Sequence, residues 1–230
     1  MQANLLAVPQ EYAFDFLLFA QRNPKPCPIV GVLEAGQHSS DLLAGGDIRT
    51  DIPGYRVFEN GELTQETAYA TPFYTPDMVS FLIGCSFTFE TALLDNGVEI
   101  PHIAHGKNVA MYRTNIATNP AGVFSGPMVV SMRPVKASQV ADAVRITSRY
   151  PGVHGAPVHV GDPAAIGIDS LAEPDFGEAI DVPAGYIPVF WACGVTPQAV
   201  VMNSAPSLAI THAPGQMLVT DARDLGYQVP

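Results

Sequence analysis

The spacing of apolar residues predicts a helix and short strands in the N-terminal third of the chain. Apolar side chains recur at helical spacing between residues 9 and 21, and Pro24 follows this segment, which predicts a helix that ends before the proline. An apolar run at 28–33 lies between proline and glycine residues and predicts a strand. Residues 36–76 are polar and rich in turn residues, so we expect loops around short strands such as 55–58.

Two later segments share a strand–turn–helix pattern. The apolar run 78–84 leads into Cys85, and the apolar run 187–192 leads into Cys193. Both turns have the sequence Cys-x-x-Thr-x-Glu/Gln and are followed by a predicted helix. Two equivalent turns of this kind predict a three-layer, pseudo-symmetric α/β domain in which both turns lie at one edge of a sheet.

The segment between these units has a strand–helix–strand pattern. Residues 126–133 form an apolar run, 138–150 an amphipathic helical pattern, and a further short strand follows. This order is typical of a two-layer α+β module. We therefore expect a main α/β domain formed by residues 1–107 and 183–230, with residues 108–182 inserted as a smaller α+β domain.

Composition and charge narrow the class of protein. The chain has 230 residues, a net charge of −11 and 47% hydrophobic residues, which excludes a basic nucleic-acid binder and a disordered chain. No apolar run approaches the roughly 20 residues of a membrane helix. The N-terminus lacks a basic and a long apolar segment, so we expect no secretory signal and no membrane partner.

The three cysteines are widely separated and lack C-x-x-C spacing, which disfavours a disulfide scaffold and favours a reducing, cytoplasmic location. Cys85 and Cys193 are of greater interest because each precedes a helix. The free N–H groups of a helix N-terminus can lower the pKa of a thiol and can bind an anion. Ser86, next to Cys85 in the first turn, can contribute to binding that anion. The alternative is that both cysteines are small buried residues that fill tight turns. Thr88 and Thr196 are interpreted as helix N-caps.

Several arginines occur in turns or near strand ends, where a guanidinium can bind a small carboxylate in a bidentate manner. Arg49, Arg113 and Arg133 are examples. The alternative for each is an internal ion pair, such as Arg49 with Asp47. Arg113 is followed two residues later by Asn115, which adds another donor near the predicted domain junction.

Histidines supply further candidates. His154, His159 and Asp162 are compatible in type with a metal site, but an odd separation places the two histidines on opposite faces of a strand. We therefore assign no metal and favour acid–base or supporting roles. His212 follows a short apolar run, and in an α/β sheet that position favours a contact with ligand, which makes it a candidate base.

The dinucleotide, P-loop, zincin and serine-hydrolase motifs are all missing, so we expect none of these chemistries and no cofactor. The chain as a whole resembles the D-glutamate cyclase family, whose bacterial members are usually labelled hydro-lyases. The resembling segments are 16–19 (FLLF), 21–28 (QRNPKPCP), 47–53 (DIRTDIP), 81–87 (FLIGCSF), 111–115 (MYRTN), 131–134 (SMRP), 154–163 (HGAPVHVGDP), 190–198 (FWACGVTPQ) and 211–215 (THAPG).

The resemblance implies a lyase that eliminates water, and for the characterised relatives a cyclisation of D-glutamate to 5-oxo-D-proline. It brings no established catalytic constellation. Family members usually carry a further N-terminal segment before the QANL text, so we expect this chain to be shortened or to start late.

We combine the resemblance with the residue analysis into one hypothesis about the site. The substrate is a small carboxylate, the two helix N-termini stabilise anionic oxygens, and His212 or Glu90 transfers the proton. The candidate catalytic residues are Cys85, Cys193, His212 and Glu90. The candidate substrate-binding residues are Arg113, Asn115, Ser86, Thr196, Arg49, Arg133 and His154.

Two other functions remain open on the sequence. One is a racemase or epimerase in which two opposed thiols exchange protons at Cα. The other is a protein that binds a small carboxylate without turning it over. The low content of charged residues is compatible with a homo-oligomer and does not demonstrate one.

Overall fold

The computed structural model describes residues Met1–Pro230. The strands are β1 (Gln2–Pro9), β2 (Ile29–Leu33), β3 (Tyr55–Glu59), β4 (Glu62–Thr67), β5 (Met78–Gly84), β6 (Ala110–Ala117), β7 (Pro127–Lys136), β8 (His159–Val160), β9 (Tyr186–Ala192), β10 (Leu208–His212) and β11 (Leu218–Val219). The α-helices are α1 (Gln10–Arg22), α2 (Glu90–Asp95), α3 (Pro101–Ala104), α4 (Val140–Ser148) and α5 (Thr196–Ser204).

The strands form two antiparallel sheets, which confirms a mixed α/β protein. The first sheet has the order β2-β5-β1-β10-β3-β4, and β11 pairs with β1. The second sheet has the order β6-β7-β9-β8. The sequence patterns did not identify β1, although this strand is almost completely buried and pairs with β5 along its full length after Gln2.

The two strand–turn–helix units lie in different sheets. β5 pairs with β1 in the first sheet, whereas β9 pairs with β7 in the second, from Lys136 opposite Tyr186 to Val130 opposite Ala192. The prediction that both turns lie at one edge of one sheet is therefore wrong. Two apolar runs of similar length do not specify their pairing partners, because pairing depends on contacts distant in sequence. The division into domains at residues 107 and 182 stays a prediction. β7 lies before residue 182 and β9 lies after it, and these two strands pair with each other.

Both faces of the first sheet are buried at its central strands, β1 and β5. Leu5 of β1 belongs to a large apolar cluster that also contains Trp191 of the second sheet. Leu6 points to the opposite face and packs in a cluster with Phe16 of α1 and Val200 of α5. This alternation follows from the period of two along a strand, and it places the second sheet and α5 on opposite faces of β1.

The predicted helices are present with shifted boundaries. The helix predicted at 9–21 is α1, the one at 138–150 is α4, and the short one after Cys193 is α5. The helix predicted after Cys85 begins as a 3-10 turn, Ser86–Phe89, and continues as α2. None of the helices combines the length and the apolarity needed to cross a lipid bilayer.

Close backbone packing at the end of β5 yields a stability prediction. A Cβ added at Gly84 would lie 2.2 Å from the carbonyl oxygen of Gly152, whereas one added at Gly226 would meet no atom within 4 Å. We expect Gly84→Ala to lower the free energy of unfolding by about 1–3 kcal/mol, since the backbone must shift. Gly226→Ala, the control, leaves it nearly unchanged. Urea unfolding measures both, and equal stabilities would contradict the packing described here.

Candidate active site

A buried ion pair joins the second sheet to the start of α2. The Arg133 side chain on β7 is 1% exposed, and its Nε and Nη2 donate to Glu90 Oε1 at 2.8 and 2.5 Å. The Glu90 side chain is itself only 8% exposed. An unpaired charge at this depth would be strongly unfavourable, so each side chain supplies the counter-charge that the other needs.

Two further N–H groups of Arg133 have acceptors, so that four of its five donors are used. Nη1 donates to the Ser131 hydroxyl at 3.0 Å and Nη2 to the Ser86 hydroxyl at 3.1 Å. The guanidinium carbon lies 5.2 Å from the ring centroid of Phe89 and 5.5 Å from that of Trp191. These hydrogen bonds and cation–π contacts fix the guanidinium in one position. Ser86 therefore holds Arg133 in this structure.

His102 completes the cluster and was missed by the sequence analysis. Its Nε2 lies 3.2 Å from Glu90 Oε1, and its ring stacks on Phe87 with centroids 6.0 Å apart. The other ring nitrogen, Nδ1, is buried and has no hydrogen-bond partner. When Nε2–H donates to the carboxylate, Nδ1 of a neutral imidazole carries a free lone pair. The pair thus has the geometry of a base oriented by a carboxylate.

Glu90 and His102 line a cavity of about 490 Å³, which we call the Glu90 cavity. Glu90 Oε2 has no hydrogen bond within the protein, because all three contacts of the carboxylate involve Oε1. A cavity of this size accommodates a small metabolite. Its lining residues are Phe87, Glu90, His102, Ile103, Gly106, Lys107, Asn108, Pro214, Gly215 and Gln216.

The electrostatics of the cluster keep Glu90 ionised. Burial alone would raise the pKa of Glu90, but the charge of Arg133 and the hydrogen bonds from His102 and Arg133 together hold that pKa below its ordinary value. The carboxylate is therefore available to orient His102 at neutral pH.

The two cysteines are protonated thiols in this environment. Burial raises the pKa of Cys85 to about 12 and that of Cys193 to about 11. The backbone N–H groups of Phe87 and Val195 oppose this effect without overcoming it. The expectation that helix N-termini would lower these pKa values is wrong, because desolvation of the thiolate exceeds the effect of the nearby N–H groups. Both cysteines are buried, as the alternative interpretation proposed.

The threonines of the two turns bind neighbouring strands instead of capping helices. Thr88 Oγ1 accepts the N–H of Gln2 on β1 at 3.3 Å, and Thr196 Oγ1 accepts the N–H of Val129 on β7 at 3.1 Å. Thr196 also donates to the Cys193 carbonyl at 2.7 Å. The N-cap prediction is wrong because these hydroxyls face the adjacent backbone. Thr196 is completely buried with its hydroxyl satisfied.

His212 and His154 are buried and uncharged at neutral pH. His212 Nδ1 accepts the N–H of Leu5 at 3.2 Å, and His154 Nδ1 lies 2.8 Å from the carbonyl oxygen of Lys25. Burial lowers the pKa of each histidine to about 4. His212 does not line the Glu90 cavity.

The residues considered for a metal do not converge. His159 Nε2 lies 2.7 Å from the backbone carbonyl of Asp162, while His154 faces Lys25. The Asp162 carboxylate accepts the N–H of Ala164 at 3.0 Å. Each side chain thus has a backbone hydrogen-bond partner: a nearby one for His159 and Asp162, and one distant in sequence for His154.

Two of the predicted arginines lie outside the cluster. Arg49 binds Asp47 through Nε at 2.9 Å and Nη2 at 2.6 Å, which confirms the ion-pair alternative for this residue. Arg113 is 40% exposed, and its Nε lies 3.8 Å from Asp175.

The surroundings of Arg113 are acidic. The cavity beside it, of about 290 Å³, is also lined by Asp169, Glu173 and Asp175, and three carboxylates disfavour an anionic ligand. Asn115 is exposed and its side chain makes no hydrogen bond. A carboxylate-binding role for these two residues stays a prediction, and it receives no support from this geometry.

Comparisons with known proteins agree with a single class. A protein of Corynebacterium jeikeium named "Putative hydro-lyase" is 75% identical over 100% of this chain and 84% of its own length. Proteins with the same name from Mycolicibacterium gilvum and Cupriavidus necator are 65% and 61% identical, over 87% and 85% of their lengths and 100% and 99% of this chain. A family model described as D-glutamate cyclase matches residues 79–221. The chain belongs to the D-glutamate cyclase family, which confirms the resemblance.

Among solved structures, a nitrogen repressor-like protein of Methanococcus jannaschii aligns over 94% of this chain and 86% of its own chain, with a TM-score of 0.42 and 10% identity. A likeness at this level carries no argument about function.

The buried ion pair predicts a strong coupling between its partners. Arg133→Met leaves Glu90 buried without its cation, and we expect a loss of about 3–5 kcal/mol in the free energy of unfolding. The double variant with Glu90→Gln loses less than the sum of the single variants, because the uncompensated charge is gone. Urea unfolding of all four proteins gives the coupling energy. Arg145→Met removes an exposed pair with Asp142 and is the control; additive losses would contradict the buried pair.

The buried histidines predict a loss of stability in mild acid. The pKa values of His154 and His212 are about 4 in the folded protein and roughly 6.5 in the unfolded chain. The unfolded chain therefore binds more protons between pH 6.5 and 4, and stability falls as pH falls, by up to about 1.4 kcal/mol per pH unit for each histidine.

This effect is tested by urea unfolding at pH 7, 6 and 5. His212→Asn removes one titrating group, so we expect the slope of stability against pH to fall by about half of the histidine contribution. His105→Asn changes an exposed histidine and serves as the control. An unchanged slope in His212→Asn would show that this histidine is not held neutral by burial.

Proposed function

We propose that the protein is a hydro-lyase that acts on a small amino acid in the Glu90 cavity, and that its reaction is the cyclisation of D-glutamate to 5-oxo-D-proline. Family membership and the names of the relatives support the reaction class. The observation that carries the placement of the site is the unpartnered Nδ1 of His102, oriented by Glu90 at the wall of a cavity.

The reaction moves two protons from the substrate nitrogen to the departing oxygen, because an ammonium and a carboxylate combine to give an amide and water. The substrate amine, in its neutral form, attacks the side-chain carboxyl carbon, so that a C–N bond forms. The tetrahedral intermediate then loses one oxygen as water, which breaks a C–O bond. The nitrogen gives up one proton before the attack and a second one after the C–N bond has formed, and the departing oxygen takes up both. A single group that accepts and then donates a proton serves both transfers in turn.

His102 has the properties needed for this transfer. Its Nε2 is held by Glu90, and its Nδ1 has a free lone pair. In the proposed mechanism Nδ1 takes each of the two protons from the nitrogen in turn and delivers it to the leaving oxygen. Glu90 stabilises the imidazolium that forms in between. Arg133 touches no substrate in this scheme and is a positioning residue for Glu90.

The cavity also offers groups for the charged ends of the substrate. Lys107 lies in its lining and its Nζ donates to the Ala179 carbonyl at 2.8 Å, which leaves two N–H donors for a carboxylate. Glu90 Oε2 is available to accept an N–H of the substrate ammonium before deprotonation. A cation and an anion within one cavity fit a zwitterionic amino acid.

The proposal predicts a defined pattern among histidine variants. With D-glutamate as substrate, mass spectrometry detects a product that is lighter by one water. His102→Gln lowers kcat by about 10²–10⁴-fold, because it removes the proton-transfer group, while KM changes little. His105→Gln alters an exposed histidine three residues away and retains full activity. Water loss that is unaffected by His102→Gln in a folded protein would place the chemistry elsewhere.

The same assay separates the other two functions. Deuterium incorporated at Cα without loss of water, and abolished by Cys85→Ala or Cys193→Ala, identifies the thiol-dependent racemase. Saturable binding of D- or L-glutamate with no product identifies a binding protein. The raised pKa values of both thiols count against proton exchange by thiolates, since little thiolate is present at neutral pH.

A further inference from the structure

A second cavity lies at the junction between the end of α1 and the loop after α4. Its volume is about 370 Å³, and we call it the Lys25 cavity. It shares no lining residue with the Glu90 cavity. The lining residues are Pro24, Lys25, Ser148, Pro151, His154, Gly155 and Ala156.

The charge of this cavity is unusual for a protein with a net charge of −11. Lys25 is its one charged residue, and no carboxylate lines it. Lys25 forms no salt bridge; its Nζ donates to the His154 carbonyl at 3.2 Å, which leaves two N–H donors. Burial lowers the pKa of Lys25, and no neighbouring carboxylate opposes this effect. The ammonium thus lacks a counter-ion within the protein.

His154 adds to the rigidity of the wall. Its Nδ1–H donates to the Lys25 carbonyl at 2.8 Å, so Lys25 and His154 are joined by two hydrogen bonds in opposite directions. The charged groups that act on His154 are Lys25 and Arg133, both cations. Its Nε2 is buried without a partner.

The backbone supplies another donor. The N–H of Ala156 forms no hydrogen bond within the protein, whereas that of Gly155 donates to the Tyr150 carbonyl at 2.9 Å. Free backbone N–H groups beside an ammonium are a common arrangement for binding oxyanions. The Ser148 hydroxyl donates its hydrogen to the Arg145 carbonyl at 2.8 Å, so only its lone pairs remain free.

We propose that the Lys25 cavity is a binding site for a small oxyanion, a carboxylate or phosphate group, held by the Lys25 ammonium and the Ala156 N–H. The site is separate from the proposed lyase reaction, and it supplies the counter-ion that Lys25 lacks. The competing explanation is that Lys25 only ties the end of α1 to His154. The two explanations differ in whether an anion is bound.

The test measures anion binding directly. Inorganic phosphate and acetate are titrated separately into the protein at constant ionic strength, with chloride as the balancing anion. Binding is followed by the backbone amide NMR signals of Gly155 and Ala156. We expect saturable shifts of these signals with at least one of the two anions, and the anion that binds more tightly distinguishes a phosphate from a carboxylate ligand.

Variants of Lys25 decide between the explanations. Lys25→Met keeps the length of the side chain without its charge, and we expect at least a tenfold loss in anion affinity. Lys25→Arg keeps the charge, so affinity is largely retained. Lys107→Met, in the other cavity, leaves binding at Gly155 and Ala156 unchanged.

Three outcomes would overturn the proposal: no saturable shift with either anion, equal affinity in Lys25→Met, or loss of the shifts in Lys107→Met. None of these readouts depends on turnover, so failure here and failure of the proposed lyase activity are distinguishable. A folded Lys25→Met with lower stability and an unchanged anion response would identify a purely structural tie.

Discussion

The buried ion pair between Arg133 and Glu90 is the interaction on which the arrangement of the candidate active site depends. Arg133 comes from the middle of β7, while Glu90 follows the turn that leaves β5 in the other sheet. A charge buried at this depth tolerates little displacement of its partner, since desolvation is compensated only at good geometry. The pair therefore fixes α2 relative to the second sheet, and His102 is oriented by the same carboxylate oxygen.

The electrostatics of the interior differ from those of the molecule as a whole. A net charge of −11 repels small carboxylates at long range, so recognition has to come from local cations. Arg133 is buried against Glu90 and does not line the Glu90 cavity, which leaves Lys107 as the accessible cation there. The thiols of both turns remain protonated. The chemistry proposed for the cluster therefore uses an oriented imidazole and not a thiolate.

The sequence predicted local structure better than long-range contacts. The sequence identified the helical spacing of α1 and α4 and the two turns after β5 and β9. Each of these patterns is contained within about 15 consecutive residues. The sequence analysis selected Glu90, Arg133 and Ser86 on local grounds. No local signal indicated that these side chains touch, and β9 was assigned to the wrong sheet. His102 carried no motif, and only its contact with Glu90 makes it a candidate base.

The two Cys-x-x-Thr-x-Glu/Gln turns explain why the chemistry is placed at one of them. In both turns a threonine hydroxyl accepts an N–H from the neighbouring strand, and the backbone N–H two residues after the cysteine acts to lower the pKa of its thiol. The sixth position differs: Glu90 meets Arg133 and His102, whereas Gln198 donates to the His212 carbonyl at 2.8 Å. A neutral amide cannot stabilise an imidazolium as a carboxylate can. Of two turns with the same local geometry, only the one with the buried charge can orient a base.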